Sequence, residues 1–419
     1  MPARVLVTGP PLNGRDEYLG EARKFLDDEK TGYYSVFEYM QKHSKLFSIP
    51  NLTRENVLSI PRDKLKGIKD AAIDSIAKVL QGSANEVDFI STPARFKIRK
   101  SPTSPTGIID GLELSDITKL DPSLIVIFIA DLLEVKTNLE KDPVWSQRVG
   151  SDLKTLAEWR RDSIERIMEY RDNYLETTGN PLDVVIFAKG HDHETLADLV
   201  IGVKPRIYLS YHITRTHEKI SHQIKTIREK LKDHFVCIDP YTIKDWDIVN
   251  AYDDAMKNQS SEVSISTFDM KLQLNEVEEA IDEIRAQVVM RDYHLIESTH
   301  ATVVCHFVEE ASYGVMSEII HTRKEVGNPI YVLYPFPFRP SPWFEFYVDD
   351  PSRIIRGGAM EQLLNQLINK MKQDISGNQW PRYKPKQLQL KVVNVLPSAM
   401  KSEDLSKLKS ESVKLEDQR

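Results

Sequence analysis

The chain has 419 residues, 41% hydrophobic and 28% charged, which is enough apolar material for two or three separate cores. No run of about 18 apolar residues is present to cross a bilayer, and no basic-then-apolar leader opens the chain, so a cytoplasmic protein with no membrane partner is expected. Two cysteines, Cys237 and Cys305, both in apolar runs, support neither a disulfide framework nor a thiolate metal cluster, and a net charge of −7 argues against a general nucleic-acid surface.

In chain order, Arg4 to Thr8 reads as a buried strand that runs into a Gly/Pro turn and a helix from Arg15. Further strands are expected at Val87 to Ser91, Leu124 to Ala130 and Leu182 to Ala188, separated by helices such as Arg62 to Leu80 and Ser151 to Glu176. This alternation predicts a parallel sheet covered by helices. After Gly202 the pattern restarts: a strand at Arg206 to Ser210, a helix from Glu218 to Lys232 and a strand at Phe235 to Ile238. Ile248 to Ser266 is polar and poor in pattern and reads as an insertion or flap; a helical stretch from Asn275 to Arg285 then leads into Asp292. Strands at Ala301 to Phe307 and Pro329 to Tyr334 flank a helix from Gly314 to Lys324; a helix follows from Met360 to Lys372, with an edge strand at Leu388 to Val395. The expected organisation is an α/β protein of two three-layer domains, 1–202 and 203–340, a C-terminal extension over 341–396 that packs on the second domain, and a charged, disordered tail over 397–419.

Gly9-Pro-Pro-Leu-Asn13-Gly14-Arg15-Asp16 has the spacing of a phosphate loop, two glycines five apart before a cation and a helix. Arg15 stands where such loops carry Lys, and Asp16 where a Ser/Thr holds magnesium; Arg can still pair with phosphate, but a carboxylate there repels phosphate unless a metal intervenes.

Residues 3 to about 202 resemble archaeal-type adenylate kinase through Val7-Thr-Gly-Pro-Pro11, Lys66-Gly-Ile-Lys-Asp-Ala-Ala72, Ile98-Arg99, Pro105-Thr-Gly107 and Asp121-Pro-Ser-Leu-Ile-Val-Ile-Phe128. The resemblance implies a P-loop kinase-like fold, with Gly9, Asn13, Gly14, Arg15, Asp16 and Arg99 around a nucleotide, ATP or another, with magnesium. The family's acidic residue after the central strand is Ser91 here, and its arginine-rich lid becomes Thr137 to Asp142, keeping only Lys141 as a cation. Because phosphoryl transfer rests on such cations, nucleotide binding without transfer is the expected behaviour; a scaffold that binds nothing and a working kinase are the alternatives.

In the second half, Tyr208 lies in a strand, Asp292 precedes a strand, and Ser312-Tyr-Gly314-Val-Met-Ser-Glu318 opens a helix. A phosphate on that helix N-terminus would bring a sugar near Glu318, one turn further in, with Asp292 placed to protonate a departing base. Read singly, Glu318 is an ordinary helix carboxylate and Asp292 a helix cap. Arg206 to about Pro335 resembles the nucleoside 2-deoxyribosyltransferase superfamily, and most closely its 2′-deoxynucleoside 5′-phosphate N-hydrolases, through Ile207-Tyr-Leu-Ser210, Arg291-Asp-Tyr-His-Leu-Ile296, Ala311-Ser-Tyr-Gly-Val315 with Glu318-Ile319, and Asn328 to Leu333. This implies a flavodoxin-like domain in which Glu318 is the nucleophile, Asp292 the acid and Tyr208 the group that orients the carboxylate. Ser312, Gly314, Ser210 and Arg215 would hold the 5′-phosphate, with no cofactor needed and with pairing into a homodimer or another even oligomer. The family's Gly-Ser pair after the first strand is Tyr211-His212 here, and the Gly after its Glu-Ile is Ile320. The expected activity is N-glycosidic hydrolysis of a nucleoside monophosphate, with a non-catalytic nucleotide sensor and an ATP-dependent nucleotide kinase as alternatives.

Two other clusters are read as structural. His191-Asp-His193-Glu194 falls at a strand-to-helix turn, where capping outweighs metal binding, and the aromatics from Phe336 to Tyr347 read as a packed loop between domains or subunits.

Overall fold

The computed structural model describes residues 3–99, 107–213, 218–309 and 312–383. The first half contributes β1 (Ala3–Thr8), β2 (Thr31–Ser35), β3 (Val87–Ser91), a short antiparallel hairpin of β4 (Arg95–Lys97) and β5 (Ile108–Asp110), then β6 (Leu124–Ile129) and β7 (Val184–Ala188). Five of these form a wholly parallel sheet in the order β2-β3-β1-β6-β7. β3, β6 and β7 are buried at every position, the mark of strands covered on both faces. The helix Arg62–Gln81 turns Ile68, Ala72, Ile73, Ile76 and Leu80 inward at helical spacing. Asp192 caps the helix His193–Ile201 by accepting the N–H of Thr195 at 2.7 Å, and Gly202 closes it in the left-handed conformation, φ 69°.

The second half supplies β8 (Arg206–Tyr211), β9 (Val236–Ile238), an antiparallel hairpin of β10 (Glu262–Ile265) and β11 (Met270–Gln273), β12 (Ala301–Cys305), β13 (Ile330–Tyr334) and β14 (Ile354–Arg356). A second parallel five-stranded sheet results, ordered β14-β13-β12-β8-β9. Both cysteines are buried, and burial pushes their thiols well above the ordinary range. No helix among the described residues is long and apolar enough to span a membrane.

Two expectations are corrected. The supposed flap contains the helix Asp245–Lys257, whose Ile248, Val249, Tyr252 and Ala255 form a buried stripe diluted in the sequence by Asp245, Asp247, Asp253 and Asp254. The helix leading to Asp292 does not stop at Arg285: it runs over Leu274–Glu297, with no proline or glycine to end it, so Asp292 sits inside its last turns rather than at a cap. Within the extension, β14 adds to the sheet beside β13 and the helix Met360–Ser376 packs on these strands; Leu388 to Val395 and the tail lie outside the described residues.

The described residues fall in one compact unit holding both sheets. The helix Leu274–Glu297 packs along the helix Leu153–Thr178. Between them Gln287 donates to the Ala157 carbonyl at 2.7 Å and accepts from Arg160 Nε at 2.8 Å, and Arg160 also pairs with buried Asp245 at 2.6 Å. At Gly190 an added Cβ would lie 2.2 Å from the Thr242 carbonyl oxygen, so the two backbones meet without room for a side chain.

Candidate functional site

Strand alternation decides which β8 side chains meet Glu318. Ile207, Leu209 and Tyr211 enter the core beneath the helix Met360–Ser376, whereas Tyr208 and Ser210 point to the opposite face. There the Tyr208 hydroxyl donates to Glu318 Oε1 at 2.8 Å and the Ser210 hydroxyl to Oε2 at 2.5 Å. Glu318 sits in the helix Tyr313–His321, which follows β12, so the cluster lies near the carboxyl ends of neighbouring parallel strands, where α/β sheets place their ligands. Asp292 arrives from the helix Leu274–Glu297 and is held by Arg291, whose Nε and Nη2 both donate to Oδ1, at 3.0 and 2.9 Å.

All these groups are buried. Burial, then the charge of Asp292, pushes Glu318 up to about 8 against the hydroxyl donors and the field of Arg291. Burial also raises Asp292, with Arg291 opposing. Asp239 adds to the rise of Asp292, and the negative charge of Asp292 favours the protonated form of Glu318. Beside them Asp239, at the end of β9, accepts from the Tyr211 hydroxyl at 2.5 Å and pairs with Arg228 at 3.0 Å.

The structure thus brings Tyr208, Ser210, Glu318 and Asp292 into one cluster. Tyr208 reaches Glu318 as expected of an orienting group; Ser210, expected on a phosphate, gives its hydroxyl to the carboxylate instead. Ser312 caps the helix, accepting the Val315 N–H at 3.4 Å, and among the described residues an added Cβ on Gly314 would meet nothing nearer than Ser312 Oγ at 3.8 Å. Arg215 lies outside the described residues. Arg291 and Asp239 were not singled out from the sequence; the signals were an arginine adjoining Asp292 and an acid directly after the buried strand Val236–Ile238.

The glycine-rich loop of the first half is bent by Gly9 at φ 139° and Gly14 at φ 77°, and its neighbours leave Gly9 no space for a side chain: a Cβ would lie 2.2 Å from the Phe128 carbonyl oxygen. Asn13 donates to that same carbonyl at 2.8 Å and accepts the Arg15 N–H at 3.1 Å. Arg15 is buried, its Nε donating to Ser91 Oγ at 2.9 Å and to Asp16 at 3.2 Å, while Ser91 in turn donates to Asp16. Against partial desolvation, the charge of Arg15 and hydrogen bonds from Ser91, Arg15 and Tyr33 hold Asp16 below the usual carboxylate range. The loop opens on a cavity of about 860 Å³. Lys189, paired with Glu134, stands over Gly14, a contact the sequence reading did not anticipate. Arg99 is exposed and is not among the residues around the cavity.

Part of each discounted cluster is engaged within the fold. His191 bonds the Ala188 carbonyl through Nδ1 at 3.0 Å and accepts the Asp239 N–H through Nε2 at 3.1 Å, joining the two halves. Phe336 packs with Tyr334 and Phe338, and Phe344 with His306, whereas Trp343 and Phe346 are exposed. Compared with known proteins, the chain matches no family model and no curated protein significantly.

Proposed function

We propose that the second half hydrolyses the N-glycosidic bond of a nucleoside 5′-monophosphate, deoxyribose-bearing by the resemblance, and that the first half is a P-loop kinase-like domain that binds a nucleotide without transferring phosphate. The second half is read as flavodoxin-like, of deoxyribosyltransferase type, and the protein as cytoplasmic and assembling as an even oligomer. The observation that carries the hydrolase reading is the double hydroxyl clamp on Glu318, Tyr208 on one oxygen and Ser210 on the other, with Asp292 electrostatically linked to it.

The reacting form is the one with Glu318 ionised and the proton on Asp292: the Glu318 carboxylate attacks the anomeric carbon as the C–N bond breaks, and Asp292 delivers its proton to the leaving base. Water then attacks the anomeric carbon of the glycosyl ester, Asp292 accepts its proton, and the sugar phosphate leaves with Glu318 restored. Arg291 holds Asp292 in place and tempers its rise, while Tyr208 and Ser210 fix the plane of the nucleophile. No metal or cofactor is required by these steps. The helix N-terminus at Ser312 and Gly314 suits the 5′-phosphate.

The test is chromatography of base released from ribo- and deoxynucleoside monophosphates, nucleosides and NAD by the wild type and by Glu318→Gln. Release by the wild type alone supports the reading; release from nothing, or equal release by both proteins, overturns it. A nucleotide sensor is the reading left if no base is released while nucleotides still bind.

A further inference from the structure

Among the described residues, five cations line the cavity beside the glycine-rich loop: Arg15, Arg54, Arg62, Lys66 and Lys69. Five carboxylates line it too: Asp16, Glu17, Glu38, Asp110 and Glu113. Its wall therefore carries no net charge. Most of the cations are already engaged, Arg54 with Asp142 at 3.1 Å, Lys66 with Glu113 at 2.6 Å and Lys69 with Asp116 at 2.8 Å. Arg15 differs. Its Nε serves Ser91 and Asp16, but it is only 7% exposed and its Nη1 is buried with no hydrogen-bond partner among the described residues, an arrangement costly enough to point to a ligand that completes it.

The loop's other donors are partly spent. Asn13 takes the Arg15 N–H, and the Lys189 ammonium over Gly14 is neutralised by Glu134. Asp16 occupies the position from which a hydroxyl would hold magnesium, and both Arg15 and Ser91 donate to its carboxylate. A triphosphate carrying about four negative charges would have to break ion pairs to enter, and its metal would have to displace the donors on Asp16. One phosphomonoester requires neither: a single phosphate pairs with the unbonded Nη1 of Arg15 while Nε stays on Ser91 and Asp16. Apolar side chains also line the cavity: Phe96 and Trp145, stacked at 5.9 Å and 13° between planes, with Phe37 and Met40. At about 860 Å³ it has room for a ring, a sugar and one phosphate.

We propose that this cavity is a metal-independent receptor for a nucleoside monophosphate, seated by its phosphate on Arg15 and by its base against the Phe96–Trp145 pair, and that it excludes the magnesium complex of a triphosphate. The inference rests on the reading of the first half as a nucleotide-binding domain and is independent of the hydrolase reading.

Binding is measured on the full chain carrying Glu318→Gln, which prevents turnover, by quenching of tryptophan fluorescence, with Trp145→Phe to show that the signal arises in the cavity. The ligands are AMP, adenosine and ATP, each with magnesium and with EDTA. The expected result is that AMP binds equally with magnesium and EDTA, at least tenfold more tightly than adenosine or magnesium-ATP, and that Arg15→Gln removes the preference for AMP over adenosine. The wild-type Arg15 protein supplies the metal comparison even if the variant does not fold. Tighter, magnesium-dependent binding of ATP would overturn the receptor proposal and leave nucleotide binding standing. Absence of any signal that depends on Trp145 would overturn both. Base release bears on neither.

Discussion

Asp131 and Asp245, 114 positions apart, cap each other's helices: Asp131 Oδ1 accepts the N–H of Lys244 at 2.5 Å, and Asp245 Oδ1 accepts the N–H of Leu132 at 3.0 Å. Asp131 precedes the helix Leu132–Lys141 in the first half, and Asp245 begins the helix Asp245–Lys257 in the second. Each carboxylate thus satisfies a helix N-terminus belonging to the other half.

Burial and the charge of Asp245 push Asp131 from 3.8 up to about 6. A carboxyl raised in the folded state favours folding in its protonated form, so its contribution is complete below pH 3.8 and is lost as the pH rises through about 6. Asp131→Asn, which keeps an acceptor for Lys244, should therefore be more stable than the wild type by about 1–2 kcal/mol at pH 8 and indistinguishable from it at pH 4. Urea unfolding at the two pH values measures this; equal gains at both would show that charge is not the cause.

Asp245 is 1% exposed and pairs with Arg160, itself 6% exposed. Asp245→Ala leaves a buried guanidinium unpaired and an N-terminus uncapped, an expected loss of about 3–5 kcal/mol in urea unfolding. A loss under about 1 kcal/mol would mean that water replaces the pair.

Tyr208→Phe keeps the ring and removes one donor from Glu318. Since that hydroxyl lowers the Glu318 titration, its loss should raise it further, shifting the acid limb of the kcat/KM profile for base release upward and lowering kcat about 10- to 100-fold. A fall in kcat with an unmoved acid limb would assign Tyr208 a packing role only.

Asp292→Asn removes the charge that raises Glu318 and strands Arg291. Base release should fall most for bases that leave poorly and least for a base already carrying positive charge, such as a 7-methylguanine nucleotide. Equal losses across leaving groups would remove Asp292 as the acid.

Gly190→Ala places a methyl against the Thr242 carbonyl with backbone on both sides, and should cost about 2–3 kcal/mol through displacement of the joined segments. Unchanged thermal unfolding would show that this contact yields easily.

The alternation of apolar runs and helices was legible from the sequence because fully buried strands such as Leu124–Ile129 leave an unbroken hydrophobic signal. β2 (Thr31–Ser35) was not, since its Gly32 and half-buried tyrosines carry little periodic pattern. The Ser-x-Gly-x-x-x-Glu spacing placed Ser312 at a helix cap and Glu318 one turn inside, as local geometry dictates. What the sequence could not reveal were contacts made across the fold: Ser210 on Glu318, Lys189 over Gly14, and the pairing of Arg160 with Asp245. Those depend on which elements become neighbours, and residue order does not encode that directly.

The helix Leu274–Glu297 has one more consequence. Its Gln287 is tied to the helix of the first half, and one and a half turns later the same rod presents Asp292 to Glu318. The acid is thus mounted on a shared beam, so cutting the chain at Gly202 would not yield two interchangeable modules: the second piece would keep its carboxylates and lose the footing that aligns them.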